Sequence, residues 1–165
     1  MEASLLPQSI TAALAELYRS QGKLKEADEQ YRPLAAELKA HIRSPESLRT
    51  EYSARSFLDI VESAGRFYTE RGDFTTTESF YRLLWPTEVR PVVGVVVRWN
   101  DEIYAKTLLA QAPVSCVDSM IRILNSYAAL LTQAGREPEA AEISHGVGRL
   151  EQRKSAQWRR PNNSR

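Results

Sequence analysis

One spacing occurs three times in this chain, and it limits the possible folds more than any other feature. In the first copy Leu14 and Ala15 precede Tyr18, Gly22, Ala27, Tyr31 and Leu34. In the second, Ala64 and Gly65 precede Tyr68, Gly72, Thr77, Tyr81 and Leu84. In the third, Tyr127 and Ala128 precede Leu131, Gly135, Ala140, Ser144 and Val147. The offsets are identical, and the first two copies also share an arginine after the second aromatic, at Arg32 and Arg82. Each position has a mechanical reason. The small residue at Ala15, Gly65 and Ala128 lets a neighbouring helix approach closely. A glycine that tolerates positive φ ends the first helix with little steric penalty. A second small residue, at Ala27, Thr77 and Ala140, lets the next helix pack back on the first, and the aromatics fill the seam. The spacing predicts antiparallel helix pairs with the glycine at the turn, and Tyr18 and Tyr68 largely buried against the second helix of their own pair.

On these residues the chain resembles the tetratricopeptide-repeat family, whose pattern is W-x2-L-G-x2-Y, then A-x3-F, then P. The first copy reads Thr11, Leu14, Ala15, Tyr18, then Ala27 and Tyr31. The second reads Val61, Ala64, Gly65, Tyr68, then Thr77 and Tyr81. The third reads Leu124, Tyr127, Ala128, Leu131, then Ala140 and Ser144, and is degenerate in its second helix. None has the closing proline in register. Together the copies cover roughly two-thirds of the chain. The glycines stand 50 and 63 residues apart, against a family period of 34, so the units are not a plain tandem array.

The resemblance implies an all-α fold in which helix-turn-helix units form a short right-handed solenoid. It also implies a concave groove, lined by first helices, that binds peptides of partner proteins. The groove-facing offsets fall on Glu16, Arg19, Glu62, Arg66, Glu70, Arg122, Asn125 and Gln133. Pairing along one helix face explains Arg66 between Glu62 and Glu70 equally well. The expected function is a non-catalytic adaptor or scaffold that binds a partner protein or peptide. The alternative is a self-associating structural or regulatory component of a larger assembly.

The expected repeat domain covers 1–157, with units at about 8–43, 45–85 and 118–157. The first helix is expected from about Gln8 to Gln21. The second is expected from Leu24 to Ile42, kinked by Pro33. Ser44 and Pro45 read as an N-cap and first helical residue, opening a helix that reaches Arg71. Asp73 caps a helix running through Trp85. Residues 86–117 are read as an irregular helical insert, one helix or two short ones, although the valines of Val92–Val97 also suit strands. Asp118 is read as the cap of a helix over Ser119–Gln133. Pro138 opens a last helix to about Gln157, and 158–165 reads as a disordered basic tail. The last helix carries Ile143, Val147 and Leu150 as one apolar stripe. Ser144, Gly146 and Gly148 weaken it, which predicts an incompletely closed edge and either self-association into a homo-oligomer or docking of a partner helix at that face.

Formal net charge is +1, so no bulk attraction to nucleic acid or membrane is implied. Six basic residues lie in 149–165 against one acid, Glu151. A solvated helix end accounts for them, since cations suit the negative end of the dipole, and nucleic acid is not an expected partner. The single Cys116 excludes an internal disulfide framework and any multi-cysteine metal site. His41 and His145 fall in different units without metal-ligand spacing. Phosphate-loop, dinucleotide and serine-hydrolase motifs are absent, and Gly146-Val147-Gly148 lacks a preceding strand. No catalytic residue, metal or cofactor is expected. The first residues have neither a basic start nor an apolar run, so no secretory signal is expected. "VVGVVV" is far short of the ~20 residues that span a bilayer. A cytoplasmic protein is the expectation.

Overall fold

A computed structural model describes residues 5–41, 51–85, 89–92, 95–98 and 114–158. The expected cap at Ser44 and Pro45, most of 99–117 and the tail beyond 158 lie outside the described residues. The helices are α1 (Leu6–Ser20), α2 (Leu24–His41), α3 (Glu51–Glu70), α4 (Phe74–Tyr81), α5 (Val117–Gln133) and α6 (Glu137–Trp158). The packed body is all-α: α1 packs on α2, α3 on α4 and α5 on α6. The pairs then meet one another through α1 with α3, α3 with α5, and α4 with α5.

The three glycine turns are built alike. Gly22, Gly72 and Gly135 have φ of +74°, +71° and +72°, in the left-handed region. Behind each, the same bonds close the helix. Gly22 N–H donates to Arg19 O (3.0 Å) and Lys23 N–H to Tyr18 O (2.9 Å). Gly72 donates to Thr69 O (3.0 Å) and Asp73 to Tyr68 O (3.0 Å), while Gly135 donates to Thr132 O (3.0 Å) and Arg136 to Leu131 O (2.9 Å). This is the Schellman closure, which satisfies carbonyls a helix end otherwise leaves unpaired. A side chain at the glycine would strain the turn, so the residue type follows from the geometry.

The second helices start differently. Asp73 caps α4 as expected, its Oδ1 accepting from Thr76 N–H at 3.0 Å. That helix ends at Tyr81, and turns carry the chain to Trp85, short of the expected continuous helix. Helix α2 continues through Pro33, which is exposed. Asp118 is not the cap of α5. A 3-10 turn, Val114–Cys116, starts the helix earlier and puts Cys116 at the cap position, with no side-chain cap bond. Asp118 lies within the first turn and accepts from Lys154 Nζ at 2.5 Å.

Within 86–117 the helical reading needs correction at 89–92 and 95–98. Residues Val89–Val92 (β1) and Val95–Arg98 (β2) pair antiparallel, with Val89 opposite Arg98 and Val92 opposite Val95. The β-branched valines decide this, with only Val93 and Gly94 between the strands in sequence. The ribbon is an insert in a helical body.

The core runs through all three helix pairs, from Leu5 and Ala15 to Val147 and Leu150. Tyr31 and Phe67 lie 5.2 Å apart between ring centroids, and Tyr68 stacks on Phe80 at 6.0 Å. Gly65 is needed where it stands: a Cβ there would meet Tyr81 Cε1 at 2.3 Å. Two expectations about burial change. Tyr68 is buried, but Tyr18 is only partly so. The stripe Ile143, Val147 and Leu150 is buried, so it is spent inside the molecule and leaves no open apolar edge there among the described residues. Gly146 does not weaken it; the residue seats the Trp85 ring, whose Cη2 would lie 2.5 Å from an added Cβ.

Candidate interaction surface

Six of the eight groove residues expected from the sequence converge on one strip across the first helices α1, α3 and α5. Glu16 is the hub. Arg19 donates to it from Nε (3.1 and 3.0 Å) and Nη2 (2.6 Å). Arg66 Nη2 reaches it from α3 at 3.1 Å, and the Tyr31 hydroxyl from α2 at 3.0 Å. Arg19 Nη1 also donates to Glu70 at 3.3 Å. On the other side of α3, Glu62 accepts two parallel bonds from Arg122 of α5, at 2.9 and 3.0 Å. That fork fits a carboxylate plane and fixes its angle as well as its distance. Arg66 thus pairs with the neighbouring helix rather than along its own. Asn125 and Gln133 are exposed on α5 and do not enter this network.

The electrostatics follow. The hydrogen bond from Arg19 holds the Glu16 carboxyl below the usual range despite partial burial, with help from Tyr31 and Arg66. Burial pushes the Tyr31 hydroxyl up to about 12. The strip carries three acids and three arginines, so its formal charges cancel, and most of it is open to solvent. Exposed ion pairs of this kind are each worth ~0–1 kcal/mol, so an incoming chain can exchange one at little cost.

A second recurring contact, which the sequence reading missed, ties each pair to the next. Asp28, just after Ala27, accepts from Arg32 (2.6 Å) and from the Tyr68 hydroxyl of α3 (2.8 Å). Glu78, just after Thr77, pairs with Arg82 (3.1 Å) and accepts from Arg136 (2.6 Å) and the Tyr127 hydroxyl of α5 (3.3 Å). Burial raises the Asp28 carboxyl, but the bonds from Arg32 and Tyr68 outweigh it and hold it low. The shared Tyr-Arg step was the available signal, since it puts an arginine one turn after each acid. In the third pair the equivalent residue is Ala141, so this contact is not offered there.

Among the described residues no group of three His, Cys, Asp or Glu side chains is placed to hold a metal. An open cleft of about 450 Å³ between α5 and α6 is lined by Asp118, Ile121, Glu151, Lys154 and Ser155. The Lys154–Asp118 pair lies across it. No described helix is long and apolar enough to cross a membrane. No family model, curated protein or solved structure matches this chain.

Proposed function

We propose that the chain is a divergent tetratricopeptide-like solenoid that works as a non-catalytic protein-interaction adaptor or scaffold. Its partner is a peptide segment laid across α1, α3 and α5. The observation that carries this is the convergence of Glu16, Arg19, Glu62, Arg66, Glu70 and Arg122, from three separate helices, on one exposed strip. A surface that alternates sign and balances its charge favours a segment bearing both acidic and basic residues, because each new pair replaces one given up. Asn125 and Gln133 extend the surface with neutral donors and acceptors. A cytoplasmic setting belongs to the same proposal, as does the absence of a catalytic role.

The test is affinity capture with the wild-type chain and with Arg66→Glu/Arg122→Glu, both shown folded by circular dichroism. The double variant leaves Glu16 and Glu62 facing like charge. We expect at least tenfold less of the captured partner on the variant. Equal capture by both proteins would remove the strip from the interaction.

A further inference from the structure

The charges on the strip across α1, α3 and α5 are not held equally. Glu16 accepts from Arg19 at both Nε and Nη2, from the Tyr31 hydroxyl and from Arg66. Glu62 and Arg122 hold each other through the two-bond fork, and Arg122 also donates to the Ser119 hydroxyl at 3.1 Å. Arg66 and Glu70 are each held by a single bond among the described residues. Arg66 uses only Nη2, at 3.1 Å from Glu16, and Glu70 only Oε2, at 3.3 Å from Arg19. Both side chains are 53% exposed. Exposure alone does not single them out, since Arg122 is 57% exposed; their bonding does.

What each leaves behind separates them further. Withdrawing Arg66 leaves Glu16 bonded to Arg19 and Tyr31. Withdrawing Glu70 leaves Arg19 bonded to Glu16. Opening the fork, in contrast, leaves Glu62 without its cation. A group stripped of its partner is what makes breaking such a bond costly. Arg66 and Glu70 can both be released without creating one. They stand four apart on α3, on one helix face, and each turns to α1 rather than to the other.

We infer that Arg66 and Glu70 are the exchange points of the strip, and that they bind an extended segment of a partner with one acidic and one basic side chain two positions apart. The acid takes the open N–H groups of Arg66, and the base takes Glu70. Four residues of helix rise about 6 Å. Alternate residues of an extended chain share a face and stand about 6.6 Å apart, so the two spacings match. The six strip residues are all charged, which gives an amphipathic helix no apolar contact. The order of acid and base in the segment reports which way it runs along α3. The inference rests on the strip being a peptide site, and fixes the contact the segment makes as it passes over α3.

The test is a random-peptide display library panned on the full chain, followed by calorimetry of an enriched peptide against variants. Enriched peptides are expected to carry an acid and a base two positions apart. Arg66→Gln and Glu70→Gln are each expected to weaken binding about tenfold, and Arg122→Gln to weaken it less than either. Replacing the peptide's acid by glutamine should weaken binding to wild type but not to Arg66→Gln. Both variants should keep a thermal midpoint within about 3 °C of wild type, because exposed pairs are weak. Enriched peptides that lack the spacing, or that bind Arg66→Gln and Glu70→Gln as tightly as wild type, overturn the inference and leave the strip as a peptide site. A library that yields no binder overturns both. The same spacing occurs within the chain at Arg49-x-Glu51 and Glu88-x-Arg90. Peptide binding that tightens in Arg49→Gln/Glu88→Gln would mean that the chain occupies its own strip, and this too overturns the inference.

Discussion

Gly65 and Gly148 both lie within helices, and their surroundings are opposite. Gly65 sits under the Tyr81 ring, whose Cε1, Cζ and Oη would all lie within 3.0 Å of an added Cβ. Tyr81 cannot swing away, because it is buried and packs on Tyr127 at 5.7 Å. Gly148 has nothing within 4 Å of that position. Gly→Ala in a helix gains up to ~1 kcal/mol of backbone propensity, while overpacking a core costs ~1–3 kcal/mol. Gly65→Ala is therefore expected to destabilise by about 1–2 kcal/mol and Gly148→Ala to stabilise by a few tenths to about 1 kcal/mol. Urea unfolding of both variants checks the contrast in sign.

At the scale of the element, the capping of α4 gives a direct expectation. Asp73 accepts from Thr76 N–H at 3.0 Å and from its hydroxyl at 2.7 Å. Asp73→Ala removes both and is expected to cost ~1 kcal/mol, while Asp73→Asn retains most of the stability. Thermal unfolding of the two separates the lost hydrogen bond from the lost charge. Asp73 and the three glycine turns were readable from the sequence because they answer local needs, a positive φ or an orphan N–H within three residues. Asp118 was misread because its partner, Lys154, is 36 residues away, and the start of α5 is set by the 3-10 turn before it. The β1–β2 ribbon was misread because a helical neighbourhood was weighed above a run of β-branched residues. On the strip, the repeat offsets identified the residues but not their partners. Arg66 and Arg122 find Glu16 and Glu62 from 50 and 60 positions away, a pairing only the packing of α1, α3 and α5 creates. The exposure of Tyr18 was hidden for the same reason: its spacing matches Tyr68, but among the described residues no preceding helix pair lies against it.

For the whole molecule, the buried tyrosines set how stability responds to alkali. Burial raises Tyr31 to about 12 and moves Tyr68 and Tyr81 in the same direction. The unfolded chain gives up the Tyr31 proton near pH ~10, and the folded chain gives it up near 12. The stabilisation is therefore complete below pH ~10 and is lost as pH climbs from there to about 12, by on the order of 2–3 kcal/mol for Tyr31 alone. Urea midpoints taken on either side of pH ~10 should fall steeply in wild type and less steeply in Tyr31→Phe. A flat profile in both would mean the ring is not held in the protonated form by the fold.

Trp85 and the residues before α5 have a consequence of their own. The Trp85 ring is seated over Gly146, and Cys116 and Val117 are buried. The body therefore grips the chain on both sides of the segment that carries β1 and β2. Changing the length of chain between two such anchors by a factor of two alters closure entropy by only ~0.6 kcal/mol. Closure entropy alone therefore sets little penalty on a longer or shorter connection between those two grips.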